Sequence, residues 1–169
     1  MIIETKLVHK PVFRVVGIQE QVQLGMDEKL SENAIAKLWD RVNARTGEIS
    51  HQVGHRGYGL IHHTPESKPG DPFTYIAGVG VHSFEHLPEG LISVEVAASL
   101  YAVVTYRGML DGLGEGFDYF WNSWLPTADY VYDGMYGFEF YDQRYRDASD
   151  PDSEIDLYFP ISPKNKEGK

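Results

Sequence analysis

The chain has 169 residues and a mass of 19.1 kDa, and 42% of its residues are apolar, which predicts one globular domain over residues 1–162 with a polar tail at 163–169. Its 25 acidic and 15 basic side chains give a net charge of −10, which argues against a nucleic-acid partner and against an anionic membrane surface. It contains no cysteine, which excludes disulfides, thiolate metal sites and a cysteine nucleophile, and it has no signal peptide or apolar run of about 18 residues, so we expect a cytoplasmic protein.

The first half of the chain predicts one strand, one helix and two further strands. Residues 11–18 are rich in β-branched and aromatic side chains, which favours a strand. Between residues 28 and 45, apolar side chains including Trp39 recur at the spacing of an amphipathic helix. Residues 57–62 and 73–81 then predict two strands, because each is a short apolar run and a polar, proline-containing loop separates them.

The second half of the sequence repeats this order with one additional strand before its helix. Its predicted elements are strands over 91–96 and 99–106, a helix over 115–124, and strands over 137–141 and 155–161. Pro126 is expected to end the helix. Two similar βαββ units predict an α+β fold with an internal duplication. We expect two curved antiparallel sheets, one main helix per repeat, a pseudo-twofold axis and a central ligand cleft.

Charge and aromatic residues are concentrated in one segment. Residues 111–156 hold 12 of the 25 acidic side chains, only 2 of the 15 basic ones and 12 of the 22 aromatic ones. Carboxylates and ring faces together suit a ligand that is both apolar and positively charged. The same composition would also arise from a solvated acidic face over an ordinary aromatic core.

The seven histidines include one metal-type motif, His82-Ser83-Phe84-Glu85-His86, which matches H-x-x-E-H. This motif binds zinc only on a helix, where both imidazoles share a face. Here Gly80 precedes the string and Pro88 follows it, so at most one helical turn fits. We therefore expect no metal site. Phosphate-loop and serine-elbow motifs are also missing from the sequence, and we expect no cofactor.

Glu139 differs from the other carboxylates because it is flanked by aromatic residues within a predicted strand, Tyr136 to Tyr141. Two interpretations are open. Alternation along the strand could point Glu139 to solvent together with Gly137 and Tyr141. Alternatively, the same face looks into the cleft, where a carboxylate needs a cation or hydrogen-bond donors to offset its desolvation.

Several sequence blocks follow one another in a characteristic order between Pro11 and Ile161. They are YGLI near residue 58, FTYIAGVGV, the Pro-Glu-Gly turn at 88–90, SLYAVVTYRG, WNSWLP, FEFY at 138–141 and EIDLYFPI. In this order they resemble the GyrI-like, or AraC-type, effector-binding domain family. The resemblance implies a SOUL-like fold of two βαββ repeats around a cleft.

The resemblance also implies a function. In this family the domain binds drug-like molecules, either within transcription activators of the MerR and AraC classes or as a stand-alone module, and a central glutamate meets lipophilic cations. That role falls on Glu139. The aromatic residues expected around it are Trp121, Trp124, Tyr101, Tyr75 and Tyr58. The sequence offers no helix-turn-helix region, so we expect a stand-alone module that binds hydrophobic, cationic small molecules and does not itself bind DNA.

Two alternative functions stay open. Some stand-alone relatives hydrolyse strained, cyclopropane-bearing natural products, and in that chemistry Glu139 would be the general base with Tyr101 or Tyr75 as the proton donor. A gyrase-inhibitory type of protein contact would instead use the acidic loop at 147–154 as a surface.

Overall fold

The computed structural model describes residues 1–23, 34–62 and 71–164, with residue 55 described by its backbone alone. The strands are β1 (Ile2–Lys10), β2 (Phe13–Val22), β3 (Gln52–His62), β4 (Phe73–Val81), β5 (Ile92–Val96), β6 (Ser99–Arg107), β7 (Tyr130–Tyr132), β8 (Gly137–Tyr141) and β9 (Glu154–Pro163). The α-helices are α1 (Ala34–Asn43) and α2 (Gly114–Tyr119). The α+β class is thereby confirmed.

The nine strands of the described residues form one antiparallel sheet. Its order is β1-β6-β9-β8-β3-β4-β2-β5, with the short β7 also paired to β9. The expectation of two separate sheets was wrong. The inner strands β3 and β8 pair with each other, and Gly59 lies opposite Glu139 in their ladder. Joining the halves in this way satisfies the backbone groups of two strands that would otherwise be exposed edges.

The strand at each edge of the sheet pairs with a strand from the other half of the sequence. β1 pairs with β6, Lys10 lying opposite Ser99, while β5 pairs with β2. Only two residues link β1 to β2, so the two ends of the sheet are close together. The ring of Phe13 on β2 accordingly lies 5.2 Å from that of Phe138 on β8. The sheet is therefore curled around its inner face.

The curled sheet buries apolar side chains on both faces. The inner face holds Val15, Tyr58, Tyr101, Val103 and Phe138, among others. On the outer face, α1 packs through Leu38 and Val42, and the second helical segment packs through Phe120, whose ring stacks on Phe159 at 3.8 Å. Because side chains alternate along a strand, Glu139 points to the outer face and its two phenylalanine neighbours point inward.

The predicted elements differ from the observed ones mainly at their ends. The predicted helix 28–45 includes α1, and its residues 28–33 lie outside the described residues. The predicted helix 115–124 is α2 followed by a π-helical turn, Phe120–Trp124. Pro126 does not end the helical path, because it is the second residue of a 3₁₀ turn, Leu125–Thr127, in whose first turn its missing N–H is tolerated. None of the helices described here is long and apolar enough to cross a membrane.

Two strands were not predicted from the sequence. β1 is an edge strand with only partial burial, so its side chains follow no clean alternation of apolar and polar residues. β7 has three residues, which is too short for a periodic signal.

Candidate functional site

A cleft of about 520 Å³ lies between α1 and the neighbouring ends of β3 and β8. Both halves of the chain line it. Helix α1, β3 and β4 form one side, and Leu110, Tyr141 and the residues after β8 form the other. Its size is within the range of pockets that hold drug-sized ligands. The cleft lining includes Trp39, Asp40, Arg56, Gly57, Tyr141, Asp142 and Tyr145.

Two aromatic side chains form the floor of this cleft. Trp39 from α1 and Tyr141 from the end of β8 meet edge to face, with ring centroids 5.5 Å apart. Gly57 lies beneath them, and a Cβ there would be 3.3 Å from Trp39 Cη2. The absence of a side chain at residue 57 therefore lets the indole lie close to the sheet.

Glu139 lies directly beneath this aromatic floor and is only 6% exposed. Its Oε1 accepts hydrogen bonds from the Tyr75 hydroxyl at 2.7 Å and the Tyr141 hydroxyl at 2.8 Å. The Tyr75 oxygen in turn accepts a hydrogen bond from Trp39 Nε1 at 3.0 Å. Among the described residues, no hydrogen bond reaches Oε2 and no cationic side chain pairs with the carboxylate. The solvent-facing interpretation of Glu139 therefore does not hold.

Burial decides the ionisation of this cluster. Desolvation raises the pKa of the Glu139 carboxyl above its ordinary value, and the hydrogen bonds from Tyr75 and Tyr141 oppose the shift only in part. Desolvation, together with the nearby carboxylate, also raises the pKa of both tyrosines well above the ordinary value. The two phenols therefore stay protonated and act as donors, while the carboxyl binds a proton more readily than it would in water.

The residues expected around Glu139 are distributed over three places. Tyr75 contacts the carboxylate directly. Tyr58 and Tyr101 lie on the inner face of the sheet, where each packs against the ring of Phe138, so the sheet separates them from Glu139. Of the two tyrosines named as proton donors in the hydrolase alternative, only Tyr75 is therefore next to the carboxylate.

The two tryptophans of the second helical segment lie farther along the outer face. Trp124 stacks on Phe120 at 5.6 Å between ring centroids, within the apolar core of that half. Trp121 is 43% exposed and packs against Tyr132. Neither residue belongs to the lining of the cleft described above.

Sequence reasoning missed two residues that complete the cluster. Tyr141 lies two positions from Glu139 on the same strand, and the period of two places both on one face. Trp39 belongs to the apolar stripe of α1 and had the pattern of an ordinary core residue. Its indole N–H was the available signal, because a buried Trp usually needs a hydrogen-bond acceptor.

The H-x-x-E-H string does not form a helix. Residues 82–86 follow β4 as an irregular segment, in which Glu85 lies 3.3 Å from His51 Nε2. Among the residues that the structure describes, no group of three His, Asp or Glu side chains is arranged to hold a metal ion.

Comparison with known proteins identifies the family of this chain. The family model of Cass2, an integron-associated effector binding protein, matches residues 6–161. The transcriptional regulator BrlR of Pseudomonas aeruginosa is 32% identical over 157 residues, which cover 92% of this chain and 54% of BrlR. The chain therefore spans about half the length of that relative.

Solved structures show the same fold at low sequence identity. SAV2435, solved bound to tetraphenylphosphonium, has a TM-score of 0.71 at 16% identity, with 95% of this chain and 94% of that chain covered. The integron cassette protein VCH_CASS2 of Vibrio cholerae has a TM-score of 0.69 at 15% identity, with 95% and 97% covered. The family match over residues 6–161 confirms the resemblance found in the sequence, and the chain belongs to the Cass2 family of GyrI-like effector-binding proteins.

Proposed function

We propose that this protein binds hydrophobic cations in the cleft between α1 and β8, with Glu139 as the counter-charge. The observation that supports this most strongly is the buried carboxylate beneath the cleft. It has donors on one oxygen and no cationic partner among the described residues. A protein rarely buries an acid without a partner, because desolvating an ionised carboxylate costs several kcal/mol. A cationic ligand would supply the missing charge.

The side chains between the cleft and Glu139 suit such a ligand. Trp39 and Tyr141 offer ring faces and edges to the cleft, and a cation over an aromatic face gains roughly 0.5–2 kcal/mol. The hydroxyl of Tyr141 reaches the carboxylate from the cleft floor. A cation that settles on this floor is therefore one side chain away from Glu139. The site would lie where the two halves of the chain meet, at the predicted pseudo-twofold axis.

The family supports the same ligand class. SAV2435 shares the fold and was solved with tetraphenylphosphonium, a hydrophobic cation. BrlR is named as a transcriptional regulator. We infer that this chain likewise serves as an effector-binding module and that its ligand is a small molecule. The hydrolase and protein-contact alternatives stay predictions.

Calorimetric titration with tetraphenylphosphonium tests the proposal. The wild-type protein is compared with Glu139→Gln, which keeps the shape of the side chain and an acceptor for both tyrosine hydroxyls. We expect the substitution to weaken binding by at least about tenfold, equivalent to ~1.4 kcal/mol.

A second variant controls for net charge. Glu95→Gln removes one negative charge from an exposed pair with Arg14, away from the cleft. We expect it to bind tetraphenylphosphonium like the wild type. Equal affinities of the wild type and Glu139→Gln would overturn the proposal, and so would equal losses in both variants.

A further inference from the structure

Strand β1 forms one edge of the sheet and is the longer of its two edge strands. It has nine residues, Ile2–Lys10, whereas β5 at the other edge has five. One side of β1 is paired with β6, and no described strand pairs with its other side. The peptide N–H and C=O groups on that side are therefore available to a further strand, and an edge of this kind is a known route of association between chains.

The two faces of β1 carry different kinds of side chain. Val8 packs in the aromatic cluster of the inner face. Because side chains alternate along a strand, Glu4 and Lys6 lie on that same face, while Thr5 and Leu7 lie on the outer face. The inner side of this edge is therefore charged and its outer side is mainly apolar.

Four side chains of β1 are left exposed by the pairing with β6. The aliphatic Ile3 and Leu7 are 42% and 46% exposed. Glu4 and Lys6 are also exposed, and neither forms an ion pair with a described residue. A lysine on an edge strand ordinarily discourages pairing with other chains, but here a carboxylate of opposite charge lies two residues away.

An antiparallel ladder between β1 and the β1 of a second copy would match these side chains if it were centred on Thr5. Thr5 would then lie opposite Thr5 of the second copy, Glu4 opposite Lys6, and Ile3 opposite Leu7. Residues directly opposite each other share a face, so the ion pairs would form on one face and the aliphatic pairs on the other. The match is made twice, because the two strands are related by a twofold axis.

Neighbouring registers lack this complementarity. A shift of one residue would place Glu4 and Lys6 opposite Thr5 or an aliphatic residue. A shift of two residues would place either Glu4 or Lys6 opposite its own copy, and like charges directly opposite each other are destabilising. The bulge of β1 between Ile2 and Glu4 also limits the regular ladder at that end of the strand.

We propose that this chain forms a symmetric dimer in which β1 pairs with β1 of a second copy and the two sheets become one. Both copies use the same edge, so the assembly is closed at two chains. Pairing of β1 with the β5 edge of another copy would instead leave a free edge at each end and would grow into longer assemblies. The proposal goes beyond ligand binding, since β1 is outside the lining of the cleft.

Sedimentation velocity tests the dimer itself. We expect the wild type to change from a 19.1 kDa monomer to a species of twice that mass as its concentration rises through the micromolar range. Lys6→Glu would place two carboxylates opposite each other in both ion pairs, and Glu4→Lys would do the same with two ammonium groups. Each variant should raise the Kd of the dimer by at least about tenfold.

A mixture of the two charge variants tests the register. In a mixed pair, each carboxylate of Lys6→Glu faces an ammonium of Glu4→Lys, so we expect heterodimers with a Kd close to that of the wild type. Lys37→Glu, on the exposed side of α1, has the same net charge as Lys6→Glu and should dimerise like the wild type. A monomeric wild type, species larger than a dimer, or no recovery on mixing would overturn the proposal.

Crosslinking locates the twofold axis. The chain has no cysteine, so a single introduced cysteine can be linked by a short bis-maleimide only to a second copy. Thr5→Cys would place the two thiols opposite each other, with Cα atoms about 4.5–5.5 Å apart. His9 is exposed on the same face of β1, but it would lie about 26 Å from its copy at ~3.3 Å per residue, so His9→Cys is the matched control.

We expect Thr5→Cys to be converted mostly to a covalent dimer, with His9→Cys remaining monomeric under the same conditions. Equal crosslinking of the two variants, or none in either, would contradict the pairing of β1 with its copy. This result decides the matter if one of the charge variants fails to fold.

Discussion

Gly59 and Glu139 lie opposite each other at the junction of the two halves, and the missing side chain of one makes room for the carboxylate of the other. A Cβ at residue 59 would be 2.8 Å from Glu139 Oε1 and would also overlap the Tyr75 hydroxyl. The glycine is therefore required by packing, because the space above it holds the buried carboxylate and its donor.

Substitution of this glycine is the first prediction. We expect Gly59→Ala to lower the free energy of unfolding by about 1–3 kcal/mol, because the added methyl group must displace Tyr75 or Glu139. Urea denaturation followed by circular dichroism measures the change. The control is Gly114→Ala at the start of α2, where a Cβ would meet nothing within 4 Å. A wild-type stability in Gly59→Ala would show that the carboxylate can move without cost.

The raised pKa of Glu139 predicts that the affinity for cations depends on pH. The ionised form attracts a cation and the protonated form does not, so ligand and proton compete for the same carboxylate. Affinity should be constant above the pKa of the empty site and fall as the pH drops through it, by up to about tenfold per unit. Titrations with tetraphenylphosphonium between about pH 5 and pH 8 measure this curve.

The same titrations of Glu139→Gln provide the reference for this curve. We expect its weaker affinity to stay flat over the same range. A parallel decline in both proteins would mean that another group, and not Glu139, controls the pH dependence.

Removal of one hydrogen-bond donor to Glu139 should shift the pH dependence of the affinity for tetraphenylphosphonium. Tyr141→Phe keeps the ring on the cleft floor but takes away one of the two hydroxyl hydrogen bonds that stabilise the ionised carboxylate. We expect the midpoint of the pH curve to rise by about one unit, since a charge-assisted hydrogen bond and one pKa unit each correspond to about 1.4 kcal/mol.

Tyr145→Phe is the matched control for this experiment. Tyr145 also lines the cleft, and its ring lies 5.0 Å from that of Tyr141. Because no hydrogen bond from its hydroxyl to Glu139 is found among the described residues, the midpoint should stay at the wild-type value. Similar shifts in both variants would assign the effect to packing of the rings.

The acidic loop gives a prediction that separates ligand binding from a protein-contact function. Asp147, Asp150 and Asp152 lie in the turns between β8 and β9 and are outside the lining of the cleft. Reversing their charges to Lys should leave the affinity for tetraphenylphosphonium within about twofold, apart from weak long-range attraction that salt screens. A large loss at physiological salt would favour a function of this surface.

The site residue that could be predicted from the sequence is the one whose sequence neighbours are unusual for its type. Glu139 was predicted as a site residue because it is a single acid among aromatic residues in a strand, and it is buried. Trp39 was not predicted, because an aromatic residue in the apolar stripe of a helix has the same pattern whether or not its N–H has a function. The hydrogen bond to Tyr75 depends on how α1 is placed on the sheet, which periodicity does not determine.

The face on which an aromatic residue lies depends on register, and this limited the remaining predictions. Tyr58 is adjacent to Gly59, so a shift of one residue would place it beside Glu139 instead of on the inner face. The strand pairings that determine the register join residues about 80 positions apart, such as Gly59 and Glu139. Both helices and seven of the nine described strands were predictable from local patterns, whereas β1, β7 and the joining of the halves into one sheet were not.

The exchange of outer strands between the two halves has a consequence for synthesis. β1 pairs with β6, and Val8 lies opposite Tyr101. The backbone of β1 therefore cannot form these hydrogen bonds until about 90 further residues have been synthesised. At translation rates of ~5–20 residues per second, this delay is on the order of 5–20 s. During that time the edge of β1 is open to other chains. Neither half can complete its sheet alone, so we expect the nascent protein to fold only after both have left the ribosome.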